Sequence, residues 1–368
     1  MTDKIRVGIL FGGRSAEHEV SVKSARSVLE AIDRDKYDVT MIGIDRGGKW
    51  LAAGDATGVL QGGKVEGDDL LPATLDYAGR RELTVRNAAG PGSVSSQQLD
   101  VVFPILHGPF GEDGTVQGLL ELADVAYVGS GVLGSAVGMD KDMMKRVFRA
   151  AGFPQVDHAA VLRKRWLQEP QAVQREIERA FDYPVFVKPA NMGSSVGITK
   201  AHDRAEFARG MDTAARFDRK IIVEEAAMEC REVECSVLGN DEPEVSVVGE
   251  IVPAGEFYDY DAKYIDDNSE LLIPARIRRE TSEAVREMAR EAFLAVEASG
   301  LARMDFFVGK ETEEILLNEI NTLPGFTPIS MYPKLWDASG VSYQELIDRL
   351  IQLAMERHRE RQQTSTDR

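Results

Sequence analysis

Residues 318–327 read Asn318-Glu319-Ile320-Asn321-Thr322-Leu323-Pro324-Gly325-Phe326-Thr327, and Arg303-Met304-Asp305 stands a short hairpin upstream. Apolar runs at 304–308 and 315–320 flank a polar 309–314, which predicts two adjacent strands joined by a turn. Side chains alternate along a strand, so Arg303 and Asp305 share one face of the first while Glu319 and Asn321 share one face of the second. Spacing alone leaves two readings open. Three oxygen donors and a guanidinium converge as a hard-cation site completed by substrate phosphates, or Asp305 and Glu319 are paired with basic residues on a solvated sheet face. Pro324-Gly325 tips the reading towards the first, because it forces a turn after the acidic strand and lets a backbone N–H approach a ligand. A donor aimed at a developing oxyanion beside a metal is a recurrent catalytic arrangement.

A chain of 368 residues is too long for one compact core, so two or three domains are expected. A net charge of -17 argues against general affinity for nucleic acid or anionic membranes. Cys230 and Cys235 are too few for a disulfide framework, which favours a reducing compartment. There is no signal-peptide pattern at the N-terminus and no apolar run of spanning length, so a cytoplasmic protein is expected.

Along the chain, residues 5–11 form an apolar strand, followed by the turn Gly12-Gly13-Arg14-Ser15 and a helix over about 17–32 capped by Ser15. Further apolar strands at 39–44 and 101–106 predict a doubly wound parallel α/β domain over residues 1–125. Ligands lie at the carboxyl ends of such strands, which puts residues 12–19 and His107-Gly108 on one rim. There, Glu17 is a candidate for holding a cationic amine, against the plainer reading of an acid favoured by the helix dipole. His107 reads more readily as a loop hydrogen-bonder than as a catalyst. The first turn lacks G-x-G-x-x-G, and the segments beginning at Gly43 and Gly58 place Trp50 and Val65 where a phosphate loop needs Ser or Thr. Residues 54–98 read as an elaborated surface insertion.

A second domain is expected over 126–218, with a helix at 139–151 and a strand–loop–strand at 181–200. Lys188 ends an apolar strand there, aimed at an anion, and Gly193-Ser194-Ser195 suits a flap closing over phosphates. A third domain spans 219–368. In it, residues 231–238 alternate as a strand with Glu232 and Glu234 on one face, residues 257–264 form a lid, and 280–299 and 342–361 are helices.

Phe11-Gly12-Gly13 with Ser15-Ala16-Glu17, Leu106-His107-Gly108, Met139-Asp140-Lys141, residues 187–197, residues 257–264, Arg303-Met304-Asp305 and residues 318–326 follow one another in an order that resembles the D-alanine:D-alanine ligase family of the ATP-grasp superfamily. The resemblance covers nearly the whole chain. It implies ATP held between the sheets of the central and C-terminal domains, with Lys141 and Lys188 on the phosphates, Glu224 and the adjoining backbone at the adenine, and Glu232 at the ribose. It implies two Mg²⁺ ions, with Mn²⁺ an alternative, at Asp305, Glu319 and Asn321. Glu17 would hold the first D-alanine's ammonium, locked to flap and lid through Ser194 and Tyr264. His107, Lys263 and Ser330 would bind substrate, the last two at the second D-alanine's carboxylate, while Arg303 and the Gly325 N–H stabilise the tetrahedral intermediate. At the adenine hinge, Glu225 stands where some relatives carry lysine, and Cys230 where glycine is common. A homodimer is the family's usual state.

The activity so implied is ATP-dependent synthesis of D-alanyl-D-alanine for peptidoglycan precursors, through an acyl phosphate. Within the same chemistry, a D-alanyl-D-serine or D-alanyl-D-lactate ligase is the alternative, Tyr264 arguing against the lactate form. A nucleotide-binding regulator without catalysis is the alternative from another class, opposed by the intact Lys188, Arg303, Asp305, Glu319 and Asn321.

Overall fold

Strand β1 (Ile5–Gly12) and its neighbours show why an apolar run of this length becomes a central strand: every residue from Val7 to Gly12 is buried. The computed structural model describes residues 4–52, 57–67, 70–76, 81–86, 94–252 and 270–365. After β1 come α1 (His18–Ala31), β2 (Tyr37–Ile44), β3 (Trp50–Ala52), α2 (Thr57–Gly62), β4 (Leu71–Leu75), β5 (Glu82–Arg86), β6 (Val94–Gln98), β7 (Val101–Ile105), α3 (Thr115–Leu122) and β8 (Ala126–Tyr127). They form one eight-stranded sheet in the order β6-β5-β4-β3-β2-β1-β7-β8. The β2-β1-β7-β8 half is parallel, as predicted. The other half is antiparallel, so much of 54–98 continues the sheet rather than decorating it. Short strands set apart by turns carry too little periodicity to reveal their pairing in sequence.

The next stretch contains α4 (Val132–Met139), α5 (Lys141–Ala150), β9 (His158–Leu162), α6 (Arg163–Gln168), α7 (Pro170–Ala180), β10 (Val185–Pro189), β11 (Thr199–Ala201), α8 (Arg204–Phe217) and β12 (Lys220–Glu225). The helix expected at 139–151 is α5, which starts two residues later, at Lys141. Asp140 ends α4 and caps α5, its side chain accepting from the Met143 N–H, and that local bond outweighs continued helix. The four strands pair antiparallel as β11-β10-β12-β9, with Phe207, Met211 and Ala214 of α8 in their core. A border at 218 therefore severs β12 from its own sheet.

The remainder is β13 (Cys230–Gly239), β14 (Glu244–Val252), β15 (Glu270–Leu272), α9 (Arg279–Ala295), β16 (Gly300–Gly309), β17 (Ile315–Asn321), α10 (Met331–Ala338) and α11 (Tyr343–Gln362). Its five-stranded sheet runs β15-β14-β13-β16-β17. The hairpin of β16 and β17 is the one the sequence predicts. Met144 and Phe148 of α5 are buried with Phe293, Met304 and Leu317, so α5 belongs by packing to this third sheet.

Helix α11 crosses back. Leu346, Ile347, Leu350 and Ile351 join Val7, Ile9, Phe103 and Phe326 in one core, and Tyr37 at the head of β2 donates to the Asp348 carboxylate. The last helix thus closes the first sheet. Leu350 is fully buried, so Leu350→Ala is expected to cost about 2–5 kcal/mol. Hydrogen exchange should show that loss in β1, more than three hundred residues away in the chain. Protection in β1 equal to wild type would mean that α11 is an independent appendage.

Candidate active site

Two adjoining cavities open where the three sheets meet, and Ser195, Ile198 and Glu319 line both. The first lies between the four-stranded and five-stranded sheets, walled by Lys188, Glu224, Glu232, Asp305 and Asn318. The second reaches to the rim of the first sheet, with Glu17, Lys141, Ser194, Arg303, Asn321 and Gly325 in its wall.

At the rim, Glu17 is buried at the N-cap of α1. The Ser15 hydroxyl accepts from the Glu17 N–H at 3.1 Å, so Ser15 orders the turn before the helix instead of capping it, because the chain makes one more turn than expected. Ser194 donates to the Glu17 carboxylate. The backbone of Ser194 and Ser195 is left-handed, an uncommon state for residues with a Cβ. Two glycines fit around the same carboxylate. A Cβ on Gly108, whose φ is +75°, or on Gly193 would stand 2.8 Å from Glu17 Oε2, so a side chain at either position would push the carboxylate from its place.

His107 is buried at the end of β7, and both ring nitrogens are engaged within the protein. Nδ1 lies 3.1 Å from the Leu323 carbonyl, which can only accept, so Nδ1 carries the proton; Nε2 faces the Ser24 hydroxyl at 3.4 Å. Burial pushes the imidazole below its ordinary pKa. The ring fastens the 323–326 turn, the hydrogen-bonding role, and it also lines the second cavity. Phe326 reinforces the clamp, edge-on to Phe103 at 5.7 Å. Gly325 is thereby held at the cavity wall with Ser330 beside it, whose hydroxyl is engaged by the Thr327 N–H at 3.2 Å.

In the hairpin, Arg303 lies opposite Asn321 and Asp305 opposite Glu319. Arg303 makes a two-pronged contact with Asp305, Nε–Oδ1 2.7 Å and Nη2–Oδ2 2.6 Å, and its Nε is also 3.0 Å from Glu234. Burial opposes a charge here, but the two carboxylates hold the guanidinium protonated. Asp305 is therefore paired with a basic residue, on a buried face and not a solvated one. Glu319 lies 3.9 Å from Lys141 Nζ, which donates to the Met192 carbonyl at 2.8 Å. Among the described residues, no three His, Cys, Asp or Glu side chains gather as a metal site. Asp305, Glu319 and Asn321 nevertheless form a hard oxygen set that suits a divalent cation sharing its shell with phosphate. Asn318 Oδ1 beside them is buried and without a partner.

Behind the first cavity, Lys188 Nζ lies 2.5 Å from Glu224 Oε2 and Lys145 Nζ 3.3 Å from Glu224 Oε1. Burial penalises this carboxylate, yet the two lysines pull its pKa down to about 2. Burial also works against the Lys188 ammonium, which Glu224 and Glu319 more than offset. The Glu224 side chain is engaged by the lysines, and the adjoining residues through Ala227 line the same cavity. Lys263 and Tyr264 lie outside the described residues.

The sequence reading gave no place in the site to three residues. Lys145 is one helical turn beyond Lys141, a spacing that could have flagged it; Glu234 pairs across the sheet from Asp305; and Glu112, in the glycine-rich loop after His107, is buried in the wall of the second cavity.

This fold is shared with known proteins. The family profile described as D-ala D-ala ligase N-terminus matches residues 6–130, and that described as D-ala D-ala ligase C-terminus matches 147–352. The chain belongs to the D-alanine–D-alanine ligase family. Relatives in that family include a D-alanine--D-alanine ligase of Acetivibrio thermocellus, 52% identical over 97% of this chain and 98% of its own. One from Heliobacterium modesticaldum is 50% identical over 99% and 98%. Among solved structures, the D-alanine-D-alanine ligase of Coxiella burnetii superposes with a TM-score of 0.83 at 35% identity, covering 98% of this chain and 97% of the other. The VanG D-Ala:D-Ser ligase of Enterococcus faecalis gives 0.85 at 36% identity, over 96% and 100%. The ligase family's ATP-grasp fold accounts for the two sheets facing one another across the first cavity.

Glu112 carries a pH signature. Burial first, and the Glu17 charge second, raise its carboxyl pKa well above the ordinary value. A carboxyl with a raised folded pKa binds its proton more tightly in the folded chain, so stability is full below the unfolded value of about 4.3 and falls as pH rises towards the folded one. Glu112→Gln should therefore melt higher than wild type at pH 8 while matching it near pH 4. Parallel Tm–pH curves for the two proteins would remove Glu112 from the folded-state titration.

Proposed function

We propose that this chain joins two D-alanine molecules into D-alanyl-D-alanine at the expense of ATP, releasing ADP and phosphate, as a step of peptidoglycan precursor synthesis. The observation that carries the reading is a pair of adjoining cavities with shared walls that together hold a buried carboxylate for an amine, Glu17, a guanidinium and a turn for an oxyanion, Arg303 and Gly325, and lysines for phosphate, Lys141 and Lys188.

A carboxylate resists amine attack at neutral pH, so the first D-alanine must be activated by phosphorylation. In this reading Glu17 orients its ammonium, and Ser194 holds the flap on Glu17. Lys188 and Lys141 neutralise the phosphates during transfer, where positioning and charge do most of the work. Asp305, Glu319 and Asn321 would hold two Mg²⁺ ions, with Mn²⁺ a substitute, which supply further charge neutralisation when bound. The acyl phosphate hydrolyses in water, so the flap and the 257–264 segment, with Tyr264, exclude solvent while Lys263 and Ser330 seat the second D-alanine. Its amine attacks the carbonyl carbon, the oxyanion is met by Arg303 and the Gly325 N–H, and phosphate departs. Glu232 takes the ribose.

The reading includes three domains, 1–125, 126–218 and 219–368, with β12 crossing over to complete the central sheet. It also includes a homodimer working in the cytoplasm on small molecules, and not on nucleic acid or a membrane. The net charge of -17 supports the last point, and among the described residues no helix is long and apolar enough to cross a membrane.

Phosphate release from Mg-ATP should require D-alanine, and mass analysis should find the dipeptide. Release that depends on added D-serine or D-lactate would reassign the second substrate, and none with any of them would favour a regulator. Glu319→Gln should shift the Mg²⁺ activation curve to higher concentration and cut turnover, with Tm nearly unchanged. An unaltered Mg²⁺ curve would take Glu319 out of the metal site.

A further inference from the structure

Lys145 is fully buried on α5, and neither cavity is lined by it. Besides Glu224, its ammonium faces the main-chain oxygen of Asn318 at 3.4 Å. That carbonyl is available because the ladder slips there. Asp305 pairs with Glu319 and Phe306 with Leu317, so Asn318 is an extra residue in β17 and opposes nothing on β16. One ammonium thus reaches from a helix to β12 of the central sheet and to the bulge in β17 of the C-terminal sheet.

Charge balance gives this contact a consequence. Lys188 and Glu224 alone would form a closed pair with nothing left for phosphate. With Lys145 sharing the carboxylate, the three groups carry one net positive charge, and Lys188 is the member of the two lysines that faces the cavity. We propose that Lys145 is a positioning residue of the ATP site, holding Glu224 and the Asn318 bulge so that Lys188, though paired with Glu224, has positive charge left for phosphate and the two sheets keep one spacing across the nucleotide. This rests on the reading of Lys188 as a phosphate ligand.

Full-length wild type, Lys188→Gln, Lys145→Met, Glu224→Gln and the Lys145→Met/Glu224→Gln double variant should be compared by calorimetric Mg-ATP affinity and by KM for ATP and for D-alanine. The expected result is a loss of about tenfold in ATP affinity for Lys145→Met, equivalent to about 1.4 kcal/mol, with the KM for D-alanine near wild type. The double variant should lose clearly less than the product of the two single losses, since the part of the Lys145 effect carried through Glu224 is already gone in Glu224→Gln. Multiplying losses, or equal rises in both KM values, would overturn the inference. If Lys145→Met does not fold, Lys145→Gln, which retains a donor but no charge, takes its place, and wild-type ATP affinity there would overturn it equally. Lys188→Gln binding as tightly as wild type would sink the reading of Lys188 and the inference with it. A loss in Lys188→Gln alone, with Lys145→Met unaffected, would sink only the inference.

Discussion

The carboxylate of Glu224, out of water between two ammonium groups, is the interaction on which the arrangement of this protein turns. An unpaired charge at such depth costs several kcal/mol, so the three groups are stable there only together. Their backbones belong to α5, β10 and β12, and the bulge of β17 meets the same cluster. Those elements must therefore hold one relative position for the charges to be satisfied. The same logic operates at Arg303, whose guanidinium lies between Asp305 and Glu234.

A site built in this way is electrostatically complete before any ligand enters. Lys188 and Lys141 have protein partners, and so do Glu17 and Arg303. On the proposed reading, substrates meet these groups beside the partners they already have: an ammonium at Glu17, phosphates at the lysines. Charges already held in place avoid the reorganisation that flexible ones would need, which is the physical content of a preorganised site. The frame is made rigid by contacts remote in sequence. Helix α11 shares its core with the first sheet, and the 323–326 turn is fastened to β7 by His107 and Phe103.

Much of this was legible in sequence where a motif is local. The β16–β17 hairpin, the β1 turn into α1, the strand carrying Lys188 and the alternation of Glu232 and Glu234 all follow from periodicity and turn residues. The displaced Ser15 was not legible, because a single side-chain-to-backbone bond decides it. The antiparallel strands within 54–98 were hidden because short strands announce themselves weakly.

The sequence by itself determined the family, the order of the motifs and which residue types face one side of each strand, since these depend on neighbours two to four positions apart. Tertiary structure alone decided that Asp305 pairs with Arg303, that His107 is a clamp, that β12 belongs to the central sheet, and that Lys145 shares Glu224 with Lys188. Those outcomes depend on which charges are buried together. Burial brings together residues such as Lys145, Lys188, Glu224 and Asn318 from distant parts of the chain, and no local spacing encodes that distance.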